Sequence, residues 1–126
     1  MEKHRRSLEN IRILVVDDKA DFRLLIAQFL TQQGAQVFAA KNAWEGLRLF
    51  REIRPDLVLS DINMPGRSGL QFLADIRNLG SDRGRVPVIG MTAYLLDQAV
   101  VNAGFQSVLR KPFIPDQLLA TIDLVL

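Results

Sequence analysis

The sequence predicts an α/β domain: a five-stranded parallel sheet in the order 2-1-3-4-5, doubly wound, with helices on both faces. Three observations carry this. Five short apolar runs alternate with five segments of helical period. The central runs place apolar residues side by side, as in 13–16 and 57–59, rather than alternating, as strands covered on both faces do. The length, 126 residues, suffices for one domain with its own core but not for two.

Residues 11–16, Ile-Arg-Ile-Leu-Val-Val, form the first strand. Phe22, Leu25, Ile26 and Phe29 then recur at helical spacing over 20–33, and Gly34 follows as a stop. Residues 36–40 read as the second strand. Asn42, with Glu45 three positions on, makes a capping box for a helix that turns Ala43, Leu47, Phe50 and Ile53 inward. After Pro55 and Asp56, Leu57-Val58-Leu59 is the third strand, with Asp61 at its C-terminal end. A loop from Asn63 to Gly69 leads into a helix with Leu70, Leu73 and Ile76 on one face. Residues 80–85 read as a polar loop, and 87–91 as a fourth strand ending at Thr92. A short helix covers about 95–103, closed by Gly104. Ser107-Val108-Leu109 is a brief fifth strand running into Arg110-Lys111-Pro112. A last helix begins near Pro115, suited to a first helical position, and turns Leu118, Ile122 and Val125 inward. Residues 1–9 read as a flexible N-terminal tail and 10–126 as the domain.

Composition narrows the chemistry. No cysteine is present, so disulfides, thiolate metal sites and a Cys nucleophile are excluded. The single histidine, His4, rules out a His-based metal cluster or a Ser-His-Asp triad. No apolar run approaches the roughly 20 residues a membrane span needs, and the first ten residues lack a signal-peptide core, so a cytoplasmic protein is expected. The net charge of +2 is too small to drive binding to a phosphate backbone, and no nucleic-acid partner is expected. Of the 16 basic residues only four are lysine, which singles out Lys111 in its apolar setting.

In sheets of this order ligands bind outside the carboxyl ends of the strands, between strands 1 and 3. Those ends carry Asp17 and Asp18 after strand 1, Asp61 after strand 3, Thr92 after strand 4 and Lys111 after strand 5. Any one of these acids alone is ordinarily a helix cap or a solvated loop residue. Three together need a counter-charge. A hard divalent cation such as Mg²⁺ takes oxygen ligands, and Lys111 can reach across as a point charge. Acids for a metal, a lysine and a hydroxyl suit a phosphoryl group, whose charge lies on its oxygens during transfer. Asp61 is the nucleophile candidate, since carboxylates form aspartyl phosphates.

These residues carry a resemblance. VVDD at 15–18, LSDINMPGRSG at 59–69, MTA at 91–93 and KPF at 111–113 resemble the receiver domain of two-component response regulators, over about residues 11–126. The resemblance implies a flavodoxin-like fold and a phosphoryl group passed from a sensor histidine kinase or histidine phosphotransfer protein to Asp61. Mg²⁺ would be held by Asp17, Asp18, Asp61 and the backbone carbonyl of Asn63. Thr92 and Lys111 would respond to the phosphoryl group, and Lys111-Pro112 would be cis. The domain would catalyse its own phosphorylation and dephosphorylation, and its switch would reach an output domain or partner protein. The chain would be a stand-alone receiver or a module of a larger regulator or hybrid histidine kinase, and the apolar end Leu124-Val125-Leu126 favours a module.

Two positions depart from the family pattern. Val108 stands where the family usually has an aromatic switch residue, with Tyr94 a candidate to replace it. The interval from Thr92 to Lys111 is 19 residues, about one helical turn short, which points to a loss before or within the fourth helix. They raise an alternative: a docking module that works without phosphorylation. A phosphatase with an aspartyl intermediate generally wants a second acid two residues past the nucleophile, where Asn63 stands, and no GxxxxGK[ST] or GxGxxG motif signals a nucleotide. The Arg48, Arg51 and Arg54 stripe reads as a solvated helix face, Lys3-His4-Arg5-Arg6 as a solubilising tail, Trp44 and Phe22 as packing, and Arg83 and Arg85 as parts of a mobile loop.

Overall fold

The computed structural model describes residues 7–126, so the Lys3-His4-Arg5-Arg6 run lies outside the described residues. Strands β1 (Arg12–Val16), β2 (Gln36–Ala40), β3 (Leu57–Asp61), β4 (Val88–Thr92) and β5 (Ser107–Arg110) form one parallel sheet in the order β2-β1-β3-β4-β5. Between and after them run α1 (Ala20–Gln32), α2 (Ala43–Ile53), α3 (Gly69–Arg77), α4 (Gln98–Asn102) and α5 (Pro115–Val125). The expected fold class and strand order are those observed.

Because side chains alternate along a strand, each central strand serves two cores. Ile13, Val15, Leu57, Leu59, Ile89 and Met91 face α1 and α5, meeting Ile26, Leu30, Leu118 and Ile122. Leu14, Val16, Val58 and Val88 face α2 and α3, meeting Phe50, Phe72 and Ile76. Burying each such side chain contributes about 1.5–3 kcal/mol, and the middle of each of these strands is accordingly apolar. Pairing of Val16 with Ser60 sets the next residues, Asp17 and Asp61, side by side as the two strands end.

Local chemistry fixes the helix starts. Asn42 Oδ1 accepts from the Glu45 amide at 2.8 Å, and Glu45 reaches back to the Lys41 amide rather than to Asn42 itself. Ser68 and Gln71 form a full capping box on α3. Pro115 occupies the first turn of α5, where the Gln117 side chain accepts from the Ile114 amide.

Four places differ from expectation. Leu8 is 1% exposed and docks against the α1–α5 core, so the last part of the expected 1–9 tail is packed. Leu25 is 62% exposed, because α5 stands apart from α1 and leaves a groove with Leu25 on its rim. Residues 82–85 form a 3₁₀ turn rather than a mobile loop: Arg83 donates to the Phe50 and Arg51 carbonyls and lies 5.8 Å over the Phe50 ring, closing the end of α2. The fourth helix is shorter than 95–103, since Asp97 Oδ1 accepts from the Val100 amide and starts it only at Gln98. Among the described residues no helix is long and apolar enough to cross a membrane.

Candidate functional site

The site is built where β1 and β3 end. Asp17 is 0% exposed, yet both its carboxylate oxygens are satisfied: Oδ1 accepts from the Lys19 amide at 2.9 Å and Oδ2 from Lys111 Nζ at 2.9 Å. Its backbone carbonyl is held by Arg23 at 2.7 Å. Asp61, 4% exposed, has Lys111 Nζ at 3.7 Å and the Asn63 amide at 3.4 Å from Oδ1. Asp18 pairs through Oδ2 with the exposed Lys19 ammonium at 3.2 Å.

Two features hold Asp61 where it is. The Ile62 amide donates to the Met91 carbonyl and the Gly69 amide to the Ile62 carbonyl, both at 2.8 Å. Gly69 has to be glycine: a Cβ there would collide with the Asp61 carbonyl and lie 2.7 Å from Ile62 Cα. The loop between is pinned by Arg67, which makes two parallel bonds to Asp75 at 2.7 and 2.6 Å.

Crowding of like charge shows in the electrostatics. Burial, and then the charge of Asp17, push the Asp61 carboxyl up to about 6, while Lys111 pulls it the other way. Burial raises Asp18 most of all, but hydrogen bonds to Lys19 and Asp61 together with the Lys19 charge outweigh it and leave that carboxyl below its ordinary value. Oxygens of Asp17, Asp18 and Asp61 all lie within 4.8 Å of one another. Asp18 Oδ1 is buried without a hydrogen-bond partner. An orphaned carboxylate oxygen among hard oxygen donors fits a hard divalent cation, so these residues suit Mg²⁺.

A cleft of about 350 Å³ opens over the acids, lined by Lys19, Phe22, Asp61, Asn63, Tyr94 and Lys111 among others. The Lys111–Pro112 bond is cis, as the resemblance implies. Thr92 is 3% exposed; its hydroxyl donates to Asn63 Oδ1 at 2.8 Å and accepts from the Tyr94 amide at 3.1 Å. The structure thus gathers Asp17, Asp18, Asp61, Asn63, Thr92 and Lys111 around one cleft. The sequence reading missed the Asn63 side chain as Thr92's partner, Lys19 as the counter-ion of Asp18, and Phe22, whose ring lies 4.2 Å from Lys111 Nζ. Helical spacing marked Phe22 as apolar but said nothing of its nearness to a lysine far along the chain.

Residues 13–123 match the profile of the response regulator receiver domain. The chain belongs to this family, whose members accept a phosphoryl group in two-component signalling, bind Mg²⁺ through acidic residues and work with histidine kinases or phosphotransfer proteins. It is 35% identical to a probable chemotaxis protein CheY of Rhizobium etli, over 93% of this chain and 93% of that protein. It is 39% identical to the regulatory protein AtoC of Escherichia coli, over 85% of this chain but 23% of that protein. Among solved structures, Vibrio cholerae chemotaxis protein CheY4 superposes with a TM-score of 0.86 at 29% identity, over 92% of this chain and 98% of that one.

Proposed function

We propose that Asp61 is the phosphoacceptor and that the cleft carries out the transfer. The observation that supports this most is the position of its carboxylate: it lines the cleft, beside Asp17 and Asp18, with Lys111 Nζ 3.7 Å away. An Asp61 oxygen attacks the phosphorus of a phosphohistidine on a sensor kinase or phosphotransfer protein; the P–N bond breaks and the imidazole leaves with a proton. Asp17, Asp18, Asp61 and the Asn63 backbone carbonyl would hold Mg²⁺, which would supply positive charge against the phosphoryl oxygens. Lys111 turns from Asp17 and Asp61 toward the new anion. Thr92 gives up its bond to Asn63 to donate to a phosphoryl oxygen, and the Tyr94 amide, bound to the Thr92 hydroxyl, moves with it. That exchange shifts a two-state equilibrium read by an output domain or partner. Water later cleaves the acyl phosphate, so the domain catalyses both its loading and its reset.

Incubation with acetyl phosphate and Mg²⁺, followed by intact-mass measurement, tests this. Wild type gains one phosphate and Asp61→Asn gains none; an equal gain in both refutes the assignment. The five-residue α4 and the half-buried Val108 favour a second reading, a docking module indifferent to phosphorylation. Partner binding equal for wild type and Asp61→Asn, with and without phosphodonor, selects it.

A further inference from the structure

Lysine is a flexible arm, and a useful ammonium at its end has to be steered. Asp17 supplies one fixed point at 2.9 Å, and Asp61, at 3.7 Å, a weaker second. The third is not a charge. Lys111 Nζ stands 4.2 Å from the centroid of the Phe22 ring, well inside the range in which an aromatic face attracts a cation. That ring is braced in turn: Phe113 meets it edge-on, with centroids 5.8 Å apart and planes at 86°. Phe113 lies two residues past Lys111, so α1 and the segment after β5 clasp each other around the ammonium. Phe22 also lines both the acid cleft and the groove between α1 and α5.

Resting on the phosphoacceptor reading, we propose that Phe22 is a positioning residue for Lys111: its ring face, braced by Phe113, holds the ammonium between Asp17 and Asp61. It acts on the phosphoryl group only through that ammonium. Without the ring, Lys111 still pairs with Asp17 but spreads over more rotamers, and fewer of them point into the cleft. With it, the ammonium needs only a short turn to meet the phosphoryl oxygens.

The experiment uses the whole chain. In protein free of metal and phosphodonor, the Lys111 ε-methylene resonances lie upfield of those of the other three lysines, shifted by the ring current, and assignment is simple with four lysines. Phe22→Leu abolishes the shift and Phe22→Tyr keeps it. With acetyl phosphate and Mg²⁺, Phe22→Leu gains phosphate about three- to tenfold more slowly than wild type, while Phe22→Tyr stays within about twofold. A ring-fluorinated phenylalanine placed at position 22 keeps the shape, removes the negative face and slows the reaction like Phe22→Leu; it decides the matter should Phe22→Leu not fold. An unshifted Lys111 signal in wild type, or a fluorinated ring that reacts at the wild-type rate, overturns the proposal. A wild type that takes no phosphate refutes the phosphoacceptor reading instead, and the Lys111 shift then decides the placement of the ammonium by itself.

Discussion

The two ends of the sheet are built to different standards. Where β1 and β3 stop, Asp17 and Asp61 are buried, a glycine lets backbone pass against backbone at Asp61, and an Arg67–Asp75 clamp fixes the loop. Where β4 stops, Thr92 is equally buried, but the chain beyond it turns outward at once: Tyr94, Leu95 and Leu96 are all exposed before a helix of five residues begins. Acid crowding needs rigid walls, because carboxylates this close would otherwise move apart into water. A segment meant to change its contacts needs the reverse, few buried contacts to break. Packing is concentrated around the acids, and the segment after β4 is left exposed.

Gly69→Ala attacks the rigid end directly and has the largest effect. The added methyl meets backbone atoms that cannot rotate away, so Asp61 and Ile62 must shift. Destabilisation of about 3 kcal/mol or more is expected in urea unfolding. A loss under about 1 kcal/mol would show that this wall is softer than its packing implies.

Asp61→Asn acts in the opposite direction. The Asp61 carboxyl sits at about 6 in the folded chain against an ordinary value of 3.8, so between these pH values the folded state binds more protons than the unfolded one. Stability therefore falls as pH rises through that window and stays lower above it. In metal-free wild type the loss is on the order of 3 kcal/mol. Asp61→Asn removes it: the variant is more stable than wild type at pH 7.5, and its advantage shrinks as pH falls toward 4. Urea midpoints of both proteins in a chelator, at several pH values, check the sign. A variant less stable than wild type at pH 7.5 would mean that Lys111 satisfies Asp61 more fully than 3.7 Å suggests.

The rigid half was also the legible half. Runs of adjacent apolar residues leading to Asp17, Asp18 and Asp61 are visible in the chain because burial on both faces pushes polar groups toward the strand ends. What stayed hidden depends on partners distant in sequence. Leu8 reads as tail because one apolar residue carries no period, and only the core of α1 and α5 reveals its socket. Arg83 sits in a polar run, and nothing local indicates that the open end of α2 lies above it. Leu25 fits the helical pattern as well as Ile26 does, yet α5 covers one and not the other. The contact between the Lys111 ammonium and the Phe22 ring joins residues from opposite parts of the chain. The short α4 was half legible: the 19-residue interval pointed to the loop before the helix or the helix itself, but only the Asp97 cap fixes where that helix begins.

The smallest effect belongs to the loose end. Leu95 is 79% exposed, so replacing it with serine removes almost no buried apolar area. Leu95→Ser is expected to change stability by less than about 0.5 kcal/mol, and phosphate gain from acetyl phosphate, set at the other strand ends, stays at the wild-type rate. If this segment is the reporting surface, the same change weakens binding of the loaded domain to whatever reads it, by removing an apolar contact made only in the complex. A stability loss as large as that of a buried leucine would show instead that the segment packs in solution, and the contrast between the two ends would disappear.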